Sequence, residues 1–183
     1  NGVASVDGIG TQATFTRPLS VAWCNATQEL YISDAALIRV YSMITGYVRT
    51  LSAPSPLVTV NTQGMAEAYI ALRPPILYEG VGSNSTFLYV SDRYGCSVRR
   101  LDIASNAVSY VAGSRGYCGY QDGYSVFAKL NDTKHISVDS FGNTFVNDHG
   151  NGYVRVIDSL LNVKTMVWVL SGHAMQFSPM LST

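Results

Sequence analysis

Short apolar segments separated by turn-forming residues recur along most of the chain. One segment type occurs three times: an apolar and aromatic stretch that ends in Asp, at 30–34, 88–92 and 144–148. Tyr, Phe, Ile and Val in such short segments favour β-strands. No segment has the 3.6-residue apolar period of an amphipathic helix, so the pattern predicts an all-β chain with almost no helix.

The segments around these three stretches repeat as well. Each terminal Asp is followed by a loop, a strand-like segment with Arg (38–41, 98–102, 154–158) and a further apolar segment (47–51, 107–112, 163–169). The aligned residues Asp34, Asp92 and Asp148 are 58 and then 56 positions apart. Phased copies of this kind predict about twelve strands in three four-stranded units. We place the units at 1–53, 54–114 and 115–170, with 171–183 as a tail or linker.

The second copy begins differently from the other two. Asp7-Gly8 and Asp122-Gly123 open the first and third copies, whereas the second has no clear Asp-Gly pair. We expect its first strand over 66–72, ending at the Pro74-Pro75 break, after a longer loop at 53–64.

Together these motifs resemble the NHL repeat, from about residue 7 to residue 169. The resemblance rests on Asp-Gly, Phe, Pro, an apolar strand, Leu-Tyr-Ile-Ser-Asp, Ile-Arg-Val and Thr-Gly-Tyr-Val, and the first and third copies carry it best. It implies the blades of a β-propeller, although the copies are longer than the ~40–45 residues typical of a blade. Three blades are fewer than the roughly 4–8 of a closed propeller. We therefore expect completion by further blades of a longer chain, by copies of the chain, or by open stacking.

We interpret Asp34, Asp92 and Asp148 as structural turn residues. A carboxylate at a strand end can accept hydrogen bonds from turn amides and close the loop before the next strand. The Arg on that next strand can pair with the carboxylate. A calcium site is disfavoured, because one carboxylate per loop falls short of the roughly 6–8 oxygens that Ca²⁺ takes.

Composition narrows the function classes. The chain of 183 residues has 12 Lys and Arg against 12 Asp and Glu, a formal net charge of zero. Nucleic-acid binders need a basic surface, so no nucleic-acid partner is expected. Hydrophobic residues make up 47% of the chain, which is enough for a core and argues against disorder. The longest apolar runs are far shorter than the ~20 residues of a membrane span.

The cysteines and sequons indicate an extracellular or cell-surface compartment. Cys96 and Cys118 fall in loops that could meet, so we expect a disulfide between them, while Cys24 has no evident partner. Glycosylation sequons begin at Asn25, Asn84 and Asn131. The first residue is Asn, without a preceding Met or signal segment, so we expect a processed or excerpted chain.

No catalytic or metal-binding constellation is evident. The chain has no Gly-x-Ser-x-Gly elbow, no phosphate-binding Gly-rich loop, and His135, His149 and His173 lack metal-ligand spacing. Zinc lyases related to the NHL class take His ligands from separate blades, but matching ligands cannot be placed here. We therefore expect no metal, no cofactor and no enzymatic activity.

Two functional hypotheses remain. The first is an extracellular structural or adhesion module that assembles through its blades into a filament or surface coat. The alternative is a ligand- or protein-recognition propeller within a larger receptor or enzyme chain. Partners would be copies of the chain or further blades, together with surface proteins or glycans that contact exposed Tyr side chains.

Overall fold

The computed structural model describes residues 4–35, 37–51, 59–60, 66–67, 78–84, 86–105 and 107–168. The described chain is all-β, as the pattern predicts, and its only helical pieces are three-residue 3₁₀ turns at Gly10–Gln12, Ser125–Phe127 and His149–Asn151. Among these residues, no helix has the length and hydropathy needed to cross a membrane. The expected tail at 171–183 lies outside the described residues.

Three antiparallel sheets make up the fold. The first contains β1 (Gly8–Ile9), β2 (Pro18–Cys24), β3 (Glu29–Asp34), β4 (Leu37–Ser42) and β5 (Tyr47–Thr50), in the order β1-β5-β4-β3-β2. A two-stranded pair follows, β6 (Thr59–Val60) with β7 (Ala66–Glu67).

The second sheet contains β8 (Tyr78–Ser83), β9 (Phe87–Asp92), β10 (Ser97–Asp102) and β11 (Val108–Ala112), in the order β11-β10-β9-β8. The third contains β12 (Gly123–Tyr124), β13 (Thr133–Val138), β14 (Thr144–Asp148), β15 (Tyr153–Ile157) and β16 (Asn162–Trp168), in the order β12-β16-β15-β14-β13. The three Asp-terminated stretches are thus strands β3, β9 and β14, each paired with the Arg-containing strand that follows it.

Two details differ from the expectation. The first and third sheets have five strands, because the segments that lead into them add the two-residue strands β1 and β12 at the outer edge. Among the described residues, the second sheet begins with Tyr78–Ser83, after the Pro pair, whereas we expected its first strand over 66–72; Ala66–Glu67 of that range form β7, and the rest of it lies outside the described residues. Gly80 and Gly82 lower the strand propensity of this segment, so its sequence does not predict a strand.

The core lies in two layers, one on each side of the second sheet. Leu88, Val90 and Leu101 of the second sheet cluster with residues of the first, including Tyr31 and Val40. On its other face, Tyr89, Val98 and Val111 cluster with Leu130, Val146 and Ile157. Strands β2, β8 and β13, one edge strand from each sheet, lie together, since β8 contacts both β2 and β13. Three sheets whose edge strands β2, β8 and β13 lie side by side form an open, propeller-like array.

Candidate functional site

One face of the first sheet exposes apolar side chains that neither of the other two large sheets of the described chain covers. Val21 and Trp23 alternate along β2 and are 59% and 43% exposed. Because paired residues of antiparallel strands share a face, Ile32 and Leu30, opposite them on β3, and Tyr41 on β4 belong to the same surface. We call these five residues, Val21, Trp23, Leu30, Ile32 and Tyr41, the open face; Val21 and Trp23 are its exposed members, Leu30 and Tyr41 are half-buried, and Ile32 is buried.

The positions that match Val21 in the other two sheets are buried, and those that match Trp23, Ser83 and Val138, are half-buried. Val21 lies opposite Ile32, as Val81 lies opposite Val90 in the second sheet and Ile136 opposite Val146 in the third. Val81 is 2% exposed and Ile136 is 9% exposed, because a preceding sheet packs on each. The open face therefore has the character of an inter-blade surface without its preceding blade.

A buried arginine pairs with the strand-terminal Asp in each sheet: Arg39 with Asp34, Arg99 with Asp92 and Arg155 with Asp148. We call each of these pairs, with the side chains bound to it, an Arg–Asp corner. Arg39 is fully buried and donates to Asp7 (2.9 Å) and more weakly to Asp34 (3.5 Å). It also donates to the carbonyls of Val6 and Thr14 and lies 5.0 Å from the ring centroid of Phe15. A guanidinium presents its donors in a fixed planar fork, which suits one side chain to several oxygens.

The third sheet repeats this corner. Arg155 is fully buried, lies 2.7 Å from Asp148 and also pairs with Asp122. Its remaining bonds go to the carbonyls of Gln121 and Lys129, and it lies 5.0 Å from the ring centroid of Tyr120. The Asp of each Asp-Gly pair is thus an ion-pair partner of an arginine about 32 residues later.

The three strand-terminal Asp residues accept amide bonds in two ways. Asp92 closes the loop that follows its strand, because its Oδ1 accepts from the Gly95 amide at 2.9 Å. A Cβ at position 95 would lie 2.2 Å from Asp92 Oδ2, so the loop requires Gly there. Asp34 and Asp148 accept from backbone amides just before the neighbouring strands β2 and β13, at Thr16 and Arg17 and at Asn131, and Asp148 also accepts from the Asn151 side chain in the loop after its strand. Burial raises the pKa of Asp92 despite the Arg99 guanidinium 2.7 Å away.

The expected disulfide is present: Cys96 and Cys118 are joined, with their Cα atoms 5.2 Å apart. It links the β9–β10 loop to the segment that leads into the third sheet. Cys24 is buried and free, and its thiol contacts the Asn84 carbonyl at 3.8 Å. Burial raises the pKa of this thiol, but hydrogen bonds from Thr27, Ala26 and Ser83 outweigh it and lower the pKa overall.

The sequon asparagines differ in their surroundings. Asn25 is exposed in the β2–β3 turn. The Oδ1 of Asn84 accepts from the Thr86 and Phe87 amides, which fixes the side chain of this half-buried residue. Asn131 packs against Gly150, and the Thr133 of its sequon is fully buried. Glycosylation stays a prediction, with Asn25 the most accessible of the three.

The histidines do not converge. His135 is exposed on β13, His149 contacts the Asp132 carboxylate at 2.9 Å, and His173 lies outside the described residues. Within the described part of the chain, no three His, Cys, Asp or Glu side chains cluster in a way that could hold a metal ion.

Comparisons with known proteins support the fold. No protein-family model matches the chain. The protein SUPPRESSOR OF QUENCHING 1, chloroplastic, of Arabidopsis thaliana is 28% identical over 163 residues, which cover 84% of this chain and 15% of that protein.

Among solved structures, an auxiliary nutrient binding protein from Bacteroides thetaiotaomicron matches 81% of this chain and 35% of its own, with a TM-score of 0.59 and 13% identity. A protein of the same description from Bacteroides ovatus matches 85% and 37%, with a TM-score of 0.58 and 15% identity. The chain thus spans little more than a third of these structures. At this identity the likeness concerns the fold alone, which is all-β and β-propeller-like.

Proposed function

We propose that the chain is a non-enzymatic assembly module of NHL type whose open face binds a further propeller blade. In the first instance that blade comes from a second copy of the chain, which produces an extracellular structural or adhesive array. The observation that carries the proposal is the exposure of Val21 at a position that is buried in the other two sheets, with the exposed Trp23 beside it on the same strand.

Burial energetics support this assignment. Covering a large apolar side chain contributes roughly 1.5–3 kcal/mol, so covering Val21 and Trp23 alone favours association appreciably. The far face of the third sheet offers a surface of the kind that covers the other blades, with Phe145, Val154 and Val156 half-buried. Contact between these unlike faces is heterologous, so it gives a ring if the rotation closes and a filament if it does not.

The compartment is proposed from the disulfide and the sequons. Disulfides persist in oxidising compartments, and Asn25 presents an exposed sequon. The Arabidopsis relative is chloroplastic by name, so the two locations need to be distinguished. Mass spectrometry of native material before and after glycosidase treatment separates them: a glycan at Asn25 is expected for an extracellular protein, and an unmodified Asn25 speaks against that location.

A second candidate is a recognition propeller within a longer chain. It is favoured by the Arabidopsis relative, of which this chain matches only 15%. In that case the blade on the open face belongs to the same polypeptide, and the whole propeller binds a protein, a glycan or a small ligand.

Sedimentation velocity of the 183-residue chain tests the first candidate. We expect the wild type to form higher-mass species at micromolar concentration and Val21→Glu to remain smaller, because a carboxylate on the open face would have to be buried unpaired. Phe141→Glu is the matched control, since Phe141 is 82% exposed in a turn away from the open face. A stable wild-type monomer at high concentration would contradict self-assembly.

A further inference from the structure

A cavity of about 170 Å³ lies at the seam between the second and third sheets, apart from the open face. Its lining combines aromatic, charged and hydroxyl groups from both sheets, including Phe87, Tyr89, Arg100, Thr144, Asp158 and Leu161. The volume is well above the ~30 Å³ share of one water but below the roughly 300–1,000 Å³ of pockets for drug-sized ligands. It suits a molecule of few heavy atoms.

The cation of this cavity is Arg100, and its contacts differ from those of the corresponding cation in the first sheet, Arg49. Each sheet has one basic residue in a matching cross-strand pair: Val40 with Arg49, Arg100 with Ser109, and Val156 with Lys164. In the first sheet, Arg49 has a carboxylate partner, because Glu29 at the start of β3 lies 3.0 Å away.

In the second sheet the matching strand starts with Phe87, so that carboxylate is missing. The Cζ atom of Arg100 lies over the Phe87 ring, 4.3 Å from its centroid, and the Arg100 Nε donates to Ser109 Oγ at 3.3 Å. Among the described residues, its two terminal amino groups have no hydrogen-bond acceptor, and the Asp102 carboxylate on the same strand interacts with Arg100 through its charge alone. The contact with the aromatic ring and the bond to Ser109 position the guanidinium group, and its two terminal amino groups are left for a carboxylate.

A buried hydroxyl lines the same cavity. Thr144 is 1% exposed, and its Oγ1 has no hydrogen-bond partner in the described part of the chain. Buried polar groups normally have a partner, because an unsatisfied one costs stability. A ligand oxygen would supply it.

The opposite charge lies on the third sheet. Asp158 accepts bonds from the Leu160 and Asn162 amides and from Asn162 Nδ2. The backbone hydrogen bond from Asn162, together with the other bonds, lowers the pKa of Asp158, so it is ionised at neutral pH. The cavity is therefore lined by a cation from one sheet and an anion from the other. A dianion such as phosphate would meet repulsion from Asp158.

We propose that this cavity binds a small free α-amino acid in its zwitterionic form. The ligand carboxylate pairs with the terminal amino groups of Arg100 and accepts from the Thr144 hydroxyl. The ligand ammonium group pairs with Asp158, and a short side chain packs on Phe87 and Leu161. This site is independent of assembly, because both of its walls belong to one chain.

Isothermal titration of the full chain, produced in a host that does not glycosylate Asn84, tests the proposal with L-alanine as probe. Acetate, ethylamine and inorganic phosphate are titrated separately. We expect saturable L-alanine binding and at least tenfold weaker binding of the three single-charge or dianionic probes. Absence of saturable L-alanine binding, or equal binding of acetate or phosphate, would overturn the proposal.

Variants assign the site to its residues. Arg100→Gln should weaken L-alanine binding at least tenfold, whereas the matched change Arg49→Gln at the other seam should leave it unchanged. Thr144→Val keeps the side-chain shape and should weaken binding severalfold without lowering the melting temperature. If Arg100→Gln does not fold, Arg100→Lys, which keeps the charge but not the planar fork, serves instead. Unchanged affinity in the Arg100 and Thr144 variants would contradict the assignment.

Discussion

The Arg–Asp corners of the first and third sheets differ from that of the second. Arg39 and Arg155 each bridge two carboxylates, the second of which comes from an Asp-Gly pair far back in the chain. That carboxylate also accepts from a Thr hydroxyl on the last long strand, Thr50 in one sheet and Thr165 in the other. In the second sheet the residue paired with Arg99 at this position is Tyr110.

The difference shows what the Asp-Gly pair does. In the first and third sheets, the Asp of this pair binds both the buried Arg and a Thr of the sheet. It therefore fastens the segment that precedes β2 or β13, which we call the leading segment, to the Arg–Asp corner. The second copy has neither the Asp-Gly pair nor the Thr, and there the Cys96–Cys118 disulfide ties the corner to the segment leading into the third sheet. The ion pairs thus fasten a leading segment to its own sheet, whereas the disulfide fastens the segment that leads into the third sheet to the second sheet.

Removing a shared arginine should have the largest effect. Arg155→Met leaves the buried Asp148 carboxylate without its cation, and we expect the free energy of unfolding to fall by about 3–5 kcal/mol. Urea denaturation followed by circular dichroism measures the loss. Lys164→Met, which removes an exposed cation from the neighbouring strand, is the control and should change stability by less than ~0.5 kcal/mol. If Arg155→Met lowered the free energy of unfolding no more than Lys164→Met does, the Arg–Asp corner would not have the stabilising role assigned to it.

Removing the disulfide should come next. Cys96 and Cys118 are 22 positions apart, and a loop of this length gives a disulfide worth about 3 kcal/mol. We expect Cys96→Ser with Cys118→Ser to lower the melting temperature to that of the reduced wild type. A reductant should then have no further effect on the double variant. A reductant-induced decrease that persists in the double variant would place the stabilising bond elsewhere.

Local sequence pattern predicted the sheets well and the corners only in part. Strand-terminal Asp34, Asp92 and Asp148 and the arginines that follow them lie close in sequence, so strand pairing brings them together. The bond between Arg155 and Asp122 spans 33 positions and follows from the path of the leading segment, which periodicity does not encode. Its only trace in the sequence was the recurrence of Asp-Gly.

A smaller effect is expected where one half-exposed carboxylate is removed. Asp122→Ala takes away the bonds to Arg155 and Thr165 and should lower stability by about 1–2 kcal/mol. Hydrogen exchange of the amides at 118–131 should accelerate, because the leading segment loses its fastening. Asp102→Ala removes a turn carboxylate outside the corners and should leave that exchange unchanged; acceleration in both variants would contradict a specific fastening.

The smallest effect is a contrast in pH dependence. Burial tends to raise the pKa of Asp7, but hydrogen bonds from Thr50 and the Arg39 charge lower it below its ordinary value of 3.8. Its stabilisation is present above pH 3.8 and is lost as the pH falls through the lowered pKa. Burial raises the pKa of Asp92, so its ionised form is disfavoured in the folded state and acid relieves that cost.

Melting temperatures between pH 2.5 and 7 check this contrast. Asp7→Asn should flatten the decline in stability below pH 3.8. Asp92→Asn should instead act above pH 3.8, where it removes the gain in stability that protonation of Asp92 brings as the pH falls from its raised pKa towards 3.8. Parallel changes in the two variants would show that the first and second corners do not differ in this way.

The residues of the cavity and of the open face could not be predicted from the sequence, because both depend on strand register and on contacts between sheets. The open face was expected in general terms from three blades without a closing partner, but Val21 and Trp23 were identified only through strand register. The cavity depends on Phe87 replacing a carboxylate at one strand start, which has meaning only once Arg100 is placed beside it.

Fluorescence of Trp23 tests the coverage of the open face most directly. The chain has two Trp residues, so Trp168→Phe leaves Trp23 as the single probe. As concentration rises, we expect the Trp23 emission to shift to shorter wavelength and acrylamide quenching to fall, and Val21→Glu in the same background should abolish both changes. A Trp23 that stays equally open to acrylamide from nanomolar to high micromolar concentration would contradict the proposal that this face binds another blade.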